Sequence, residues 1–281
     1  MLEKMKSRIK RIDSVYRVLF PIVQLLRWFT PTKVRYEFVR RRCFRRFQKN
    51  PVLEVSQSGI VSRFHAISGK NYWHLYLNRN EMDAYLGKAL KPGDVVLDIG
   101  GSVGAYTVPI AKFVGASGSV HVFEPEPESL MALKRNIALN ALTNCVIHEF
   151  AVGSNDGSVT FFIRPEKDTH SIFEKSLAVS PTGRLDRLEV PIRSVDSMVR
   201  EGVIPLPNFV KVDVEGAELD VLSGMKETIK KVRGLYIECH DTLEADMGLG
   251  NPVDVVSTHL ATMGITKIRK VDNNHIVAVI S

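Results

Sequence analysis

Residues Val95 to Lys112 read VVLDIGGSVGAYTVPIAK. Apolar residues run into Asp98, glycines follow at 100, 101 and 104, and an amphipathic segment begins at once. That order predicts a strand, a tight turn and a helix. Glycine admits positive φ and lets a ligand come close to the backbone. In a doubly wound sheet, such a turn sits where a nucleotide-like ligand meets the strand ends.

The motif is D-x-G-G-x-x-G, which differs from the G-x-G-x-x-G that seats a pyrophosphate. A carboxylate just ahead of the turn repels phosphate and suits a ligand with a cationic amine. Glu124 ends the next apolar run, VHVFEPEP. It follows the glycines by about 20 residues, the spacing at which an acid accepts ribose hydroxyls. S-adenosylmethionine has an α-amino group and a ribose but no phosphate, so it fits both acids.

Outward from this stretch, strand and helix patterns alternate. Strands are expected at VVLDIG, SVHVFEPE, CVIHEFAVG, SVTFFIR, LEVPIRSV, FVKVDVEG, GLYIECH, ITKIRKV and HIVAVIS. Helices are expected at AYTVPIAKFV, PESLMALKRNIALN, ELDVLSGMKETIKKV and PVDVVSTHLATMG. The alternation implies an α/β fold with a mostly parallel sheet and helices on both faces. Pro165 to Leu188 is the least regular stretch and reads as a mobile or substrate-ordered loop.

The chain has 281 residues, 44% hydrophobic and 25% charged, with a formal net charge of +7. That average hides an asymmetry. Residues 1–50 hold 15 of the 38 Lys and Arg but only 3 of the 31 Asp and Glu, leaving 23 basic and 28 acidic residues in the rest. The sequence divides into a basic amphipathic helical arm, 1–50, and a mildly acidic domain, 51–281. Leu2, Met5, Ile9, Ile12, Tyr16 and Leu19 form an apolar stripe at helical spacing, with Lys and Arg on the other faces. The arm reads as a helix on an anionic membrane surface, as a packed or oligomer-forming cap, or, less favoured, as a nucleic-acid contact. Three cysteines without metal or redox spacing fit a reducing, cytoplasmic setting, and no run is apolar enough to span a bilayer.

KVDVEGAE places Asp213 and Glu215 near the end of a strand, where a period of two sends both to one face. A hydroxyl is a weak nucleophile until a base takes its proton, and either acid can serve. His240, in IECHD, is a further base candidate. Glu218 and Asp220 read as first-turn charges favoured by the helix dipole. His170 can reach the site from the irregular loop, whereas His275 reads as structural or solvated. The favoured reading has no metal. An alternative places a divalent ion on Asp213, His240 and Asp241.

Five segments resemble the FkbM-type methyltransferases, a family of class I S-adenosylmethionine-dependent enzymes. They are KPGDVVLDIGGSVGAYTVPIAK, VHVFEPEPESLMALKRNIALN, EFAVGSNDGSVTFF, VDSMV and FVKVDVEGAELDVLSGM, the last being the most specific. The resemblance implies a Rossmann-like fold with a seven-stranded sheet. It also implies that the turn of Gly100, Gly101, Ser102 and Gly104, with Asp98, lines the methionine part of the cofactor. Glu124 would bind the ribose, and Ala151 would meet the adenine through its backbone. Where the family more often has GAN, this chain has GGS, so Ser102 replaces a side-chain amide. The resemblance implies O-methylation, often of a sugar or a natural-product scaffold; the favoured acceptor is a saccharide, glycolipid or lipid-linked hydroxyl, the last suited by a basic membrane-surface arm. The competing readings are an RNA methyltransferase, disfavoured by the acidic body, and a non-catalytic cofactor-binding scaffold.

Overall fold

A computed structural model of the chain describes residues 52–57, 59–65, 86–163, 170–172, 186–240 and 251–280. The basic arm, Asp241 and most of the irregular stretch 165–188 lie outside the described residues. In chain order, β1 (Val52–Gln57) and β2 (Ile60–His65) form a hairpin, and a single turn, α1 (Gly87–Ala89), precedes β3 (Val95–Ile99). Next come α2 (Thr107–Val114), β4 (Ser119–Phe123), α3 (Pro127–Leu139) and β5 (Cys145–His148). Then follow β6 (Ala151–Val152), β7 (Gly157–Ile163), β8 (His170–Ser171), β9 (Asp186–Arg193) and α4 (Val195–Arg200). The last group is β10 (Phe209–Val212), α5 (Glu218–Ser223), β11 (Gly234–Glu238), α6 (Pro252–Thr262), β12 (Ile268–Lys270) and β13 (His275–Val279).

The central sheet has seven strands in the order β12-β13-β11-β10-β3-β4-β5. Strands β11, β10, β3, β4 and β5 run parallel; β13 and β12 complete the sheet antiparallel. Parallel strands buried on both faces need near-continuous apolar sequence, and β10 reads FVKV with every residue buried. Side chains alternate between two cores. Leu97, Ile99, Val210 and Val212 pack with Met198, Val221 and Val256 of α4, α5 and α6. Val96 and Phe209 pack on the opposite face with Ile110 and Val114 of α2. The helices therefore cover both faces, as expected.

The chain winds from β3 outward through β4 to β5, then returns to lay β10 on the other side of β3. That reversal opens a crevice at the carboxyl ends of β3 and β10. The sequence reading errs at two elements. CVIHEFAVG does not form one strand: β5 stays in the main sheet, while β6 joins a second sheet of order β6-β9-β7-β8. The helix expected across ELDVLSGMKETIKKV stops at Ser223. A Cβ on Gly224 would lie 1.9 Å from the carbonyl oxygen of Gly153, so the backbones of two chain segments meet where the helix ends.

Candidate active site

The glycine turn closes β3 onto its neighbours. The amides of Gly100 and Gly101 both donate to the Phe123 carbonyl, each at 3.0 Å. Gly100 has φ 83°, and a Cβ there would fall 1.7 Å from the Asp213 carbonyl oxygen. A Cβ on Gly101 would meet Val122 at 2.2 Å, and one on Gly104 would meet Leu133 at 2.9 Å. Contacts within the protein already require these glycines, in addition to any ligand approach. Ser102 holds φ 47° without being glycine. Asn tolerates that left-handed conformation better than Ser does.

This turn forms one wall of an open cleft of about 970 Å³. Gly100, Gly101, Ser102, Glu124 and Ala151 line it, as do Asp213, Glu215 and Glu238. Glu124 accepts the Ser102 amide on Oε2 and the Glu126 amide on Oε1, both at 2.8 Å. Burial pushes its carboxyl up to about 7 against the opposing pull of those two amides. Phe150 and Phe161 add apolar surface, so a small, mostly apolar body with a few hydroxyls suits the space.

Asp98 is not in that wall. It is fully buried beneath the turn, where Thr107 Oγ1 donates to its Oδ2 at 2.6 Å. The Lys211 ammonium lies 3.1 Å from its Oδ1. The expectation that Asp98 faces the cofactor gives way to a structural role. Lys211, unmarked in the sequence reading, is its register partner on β10. The same ammonium bonds the Gly100 carbonyl at 2.9 Å and pairs with Asp213 Oδ2 at 3.2 Å. Burial works to lower the Lys211 pKa, but the charges of Asp213 and Asp98 outweigh it and hold the ammonium firmly protonated. A lysine inside an otherwise apolar strand, FVKV, was the available signal.

Across the cleft, four carboxylates surround His240. Nδ1 lies 2.8 Å from Glu218 Oε1. Nε2 lies 3.5 Å from Glu238, 3.7 Å from Glu215 and 4.0 Å from Asp213. Burial would depress the imidazole pKa, yet Glu218 and Glu238, with the charges of Glu215 and Asp213, push it up to about 12. The surrounding carboxylates thus favour the protonated imidazole, a form that donates a proton, whereas the expected base role needs the neutral ring. Burial lifts Glu215 to about 7, with the His240 charge opposing. Glu215 arrives differently from the sequence reading: β10 ends at Val212, and a left-handed residue at φ 53°, not strand alternation, turns Glu215 toward Asp213.

Glu218 is more than a helix-dipole charge. It is fully buried and accepts the Gly216 amide at 3.0 Å on the oxygen that holds His240. His275, expected to be structural or solvated, is nearly buried, stacks on Tyr236 and approaches Glu238 at 3.3 Å. Glu218 was hidden because His240 is remote in sequence, and the approach of His275 to Glu238 was hidden for the same reason, although Asp272, three residues away, holds its Nδ1 at 2.8 Å. His170 lies on β8, and its side chain is outside what is described.

The profile of the methyltransferase FkbM domain matches residues 98–272. The chain belongs to the FkbM methyltransferase family. A hexuronic acid methyltransferase, AglP, from Haloferax volcanii is 30% identical over 187 residues, covering 65% of this chain and 72% of that protein. A 2-O-methyltransferase, NoeI, from Sinorhizobium fredii is 28% identical over 163 residues, covering 54% and 65%. The crystal structure of a methyltransferase FkbM from Methylobacillus flagellatus aligns with a TM-score of 0.45 at 16% identity, covering 75% of this chain and 54% of that one. This FkbM-family protein is thus a methyltransferase of the S-adenosylmethionine-dependent class. Among the described residues, no helix is long and apolar enough to cross a membrane.

Proposed function

We propose that this protein moves the methyl group of S-adenosylmethionine to a hydroxyl of a saccharide-type acceptor. The observation that carries the reading is that one cleft is lined by the glycine turn and Glu124 together with Asp213, Glu215 and Glu238. The residues fit the cofactor. Glu124 keeps acceptor capacity beyond its two backbone amides and can take the ribose hydroxyls, while the Ala151 backbone borders the space left for adenine.

S-adenosylmethionine supplies an electrophilic methyl on a sulfonium. The carboxylate-rich wall attracts that cation and excludes anionic competitors. Bound there, it would give that methyl to the acceptor oxygen and leave as the neutral thioether, and Glu215, on the same wall, would take the hydroxyl proton. The name of one relative, a hexuronic acid methyltransferase, favours a sugar acceptor, and that of the other, a 2-O-methyltransferase, favours oxygen as the methylated atom. The basic segment 1–50 would hold the protein on an anionic membrane surface beside a lipid-linked acceptor. Sedimentation with anionic and neutral vesicles checks that part.

The test is calorimetric titration of S-adenosylhomocysteine into the wild type and Glu124→Ala, followed by transfer of labelled methyl to a panel of neutral and acidic saccharides. Binding by the wild type, lost in the variant, with label on a sugar hydroxyl, supports the reading. Absence of binding in the wild type refutes it.

A further inference from the structure

We infer that Asp213, Glu238 and His240 form a site for one divalent metal ion of the hard kind, Mg²⁺ or Mn²⁺, in the cleft. The role given to the ion rests on the methyltransferase reading; its binding does not. One ligand atom from each residue lies within 4.8 Å of the others. An ion about 2.0–2.3 Å from each atom fits such a group after small side-chain movements. Two carboxylates and one imidazole, open to water, suit Mg²⁺ or Mn²⁺ better than a thiophilic metal.

His240 is arranged as a ligating histidine. Its Nδ1 is engaged by Glu218 at 2.8 Å. Its Nε2 faces Glu238 at 3.5 Å and Asp213 at 4.0 Å, longer than good hydrogen bonds. A carboxylate on one ring nitrogen with the metal on the other is the usual outer-shell pattern of metal-bound histidine. In the loaded site the ion takes the place of the imidazolium proton.

Glu218 is an independent observation. It is not one of the three ligands, it is fully buried, and its Oε2 has no hydrogen-bond partner among the described residues. A buried carboxylate in that state is unfavourable unless positive charge lies near, and that charge reaches it through His240, as the imidazolium or, in the loaded site, as a metal-bound imidazole. Its other oxygen is the one fixed to His240, so its charge is directed at the proposed site. The ligand side chains of Asp213, Glu238 and His240 remain 21%, 25% and 18% exposed. Water or an acceptor hydroxyl can therefore complete the coordination, and the ion would acidify and orient that hydroxyl. This replaces the metal-free expectation and exchanges Asp241, outside the described residues, for Glu238.

The test is titration of Mn²⁺ into the full chain, with and without S-adenosylhomocysteine, followed by the electron paramagnetic resonance signal of the free ion. The wild type is expected to bind one ion. His240→Gln and Glu238→Gln should each weaken it by about tenfold or more, and Glu218→Gln by about 10–100-fold. S-adenosylhomocysteine binding and thermal melting report whether each variant is folded. Pulsed resonance on the wild-type Mn²⁺ complex should show coupling to an imidazole nitrogen, a readout that needs no variant. Unchanged free-ion signal in the wild type under both conditions overturns the proposal. So does Mn²⁺ binding of equal strength in both ligand variants, or a complex without nitrogen coupling. Mn²⁺ binding without S-adenosylhomocysteine binding would leave the metal site standing and remove the methyltransferase reading.

Discussion

Replacing Lys211 with methionine tests the core of the site. The ammonium is buried between Asp98, at 3.1 Å, and Asp213, at 3.2 Å, and donates to the Gly100 carbonyl at 2.9 Å. The ammonium also lies 4.9 Å from the Tyr106 ring centre. Methionine keeps most of the volume, so the cavity contribution is small. What remains is an uncompensated carboxylate at Asp98, which has no exposure to water and only Thr107 as a further partner. Breaking a buried ion pair from one side costs about 3–5 kcal/mol. Total stabilities are about 5–15 kcal/mol, so this is a large fraction. For a domain of this size the melting temperature should fall by on the order of 10 °C.

Urea unfolding and calorimetry of Lys211→Met measure the loss directly. The companion variant Lys211→Met/Asp98→Asn carries the discriminating prediction. Once the orphaned charge is removed, the pair should lose less stability than Lys211→Met alone, a strongly non-additive cycle. Affinity for S-adenosylhomocysteine should also fall in Lys211→Met, because the ammonium anchors the Gly100 carbonyl in the cofactor turn. A loss below about 1 kcal/mol, or a double variant worse than either single one, would refute the claim that Lys211 neutralises a buried charge.

Glu124→Gln should remove a pH dependence. Its folded carboxyl sits at about 7 against an ordinary 4.5, so the folded state holds that proton more firmly. The resulting stability is fully present below pH 4.5 and is lost as pH rises through 7. It amounts to about 3 kcal/mol, and urea unfolding at pH 5 and 8 should show it in the wild type but not in the variant. His148 has the opposite sign. Burial, then His121, lowers its pKa to about 4, so stability present above 6.5 is lost as pH falls through 4. His148→Phe should flatten that acid limb in melting curves. Ser102→Asn should raise stability by up to about 1 kcal/mol by easing the left-handed backbone at φ 47°. Gly100→Ala should give no soluble folded protein, as judged by circular dichroism, because its Cβ would lie 1.7 Å from the Asp213 oxygen.

The strands of the central sheet were legible because burial on two faces leaves long apolar runs, and the glycine turn marks where β3 ends. The alternation implied parallel strands but not their order, so the reversal beside β3 came only with the structure, while the glycine turn had already pointed to the cleft. The charge pairings were not legible. Lys211 and Asp98 meet because parallel pairing puts them at one register position on adjacent strands. Sequence distance carries no trace of that register. Glu218 shows the same limit more sharply. An acid in the first turn of a helix has a sufficient local explanation, so nothing in ELDVLSG announces that the side chain turns inward to hold His240, two residues beyond β11. Gly100 is the mirror case. A glycine that admits a ligand and one that admits the backbone of a neighbouring strand are the same letter. Only the measured approach of Asp213 separates them, and it shows that the turn is shaped by the protein before a cofactor arrives. The cofactor turn and the acidic wall are therefore joined through Asp213 and Lys211, and a change that loosens one is expected to displace the other.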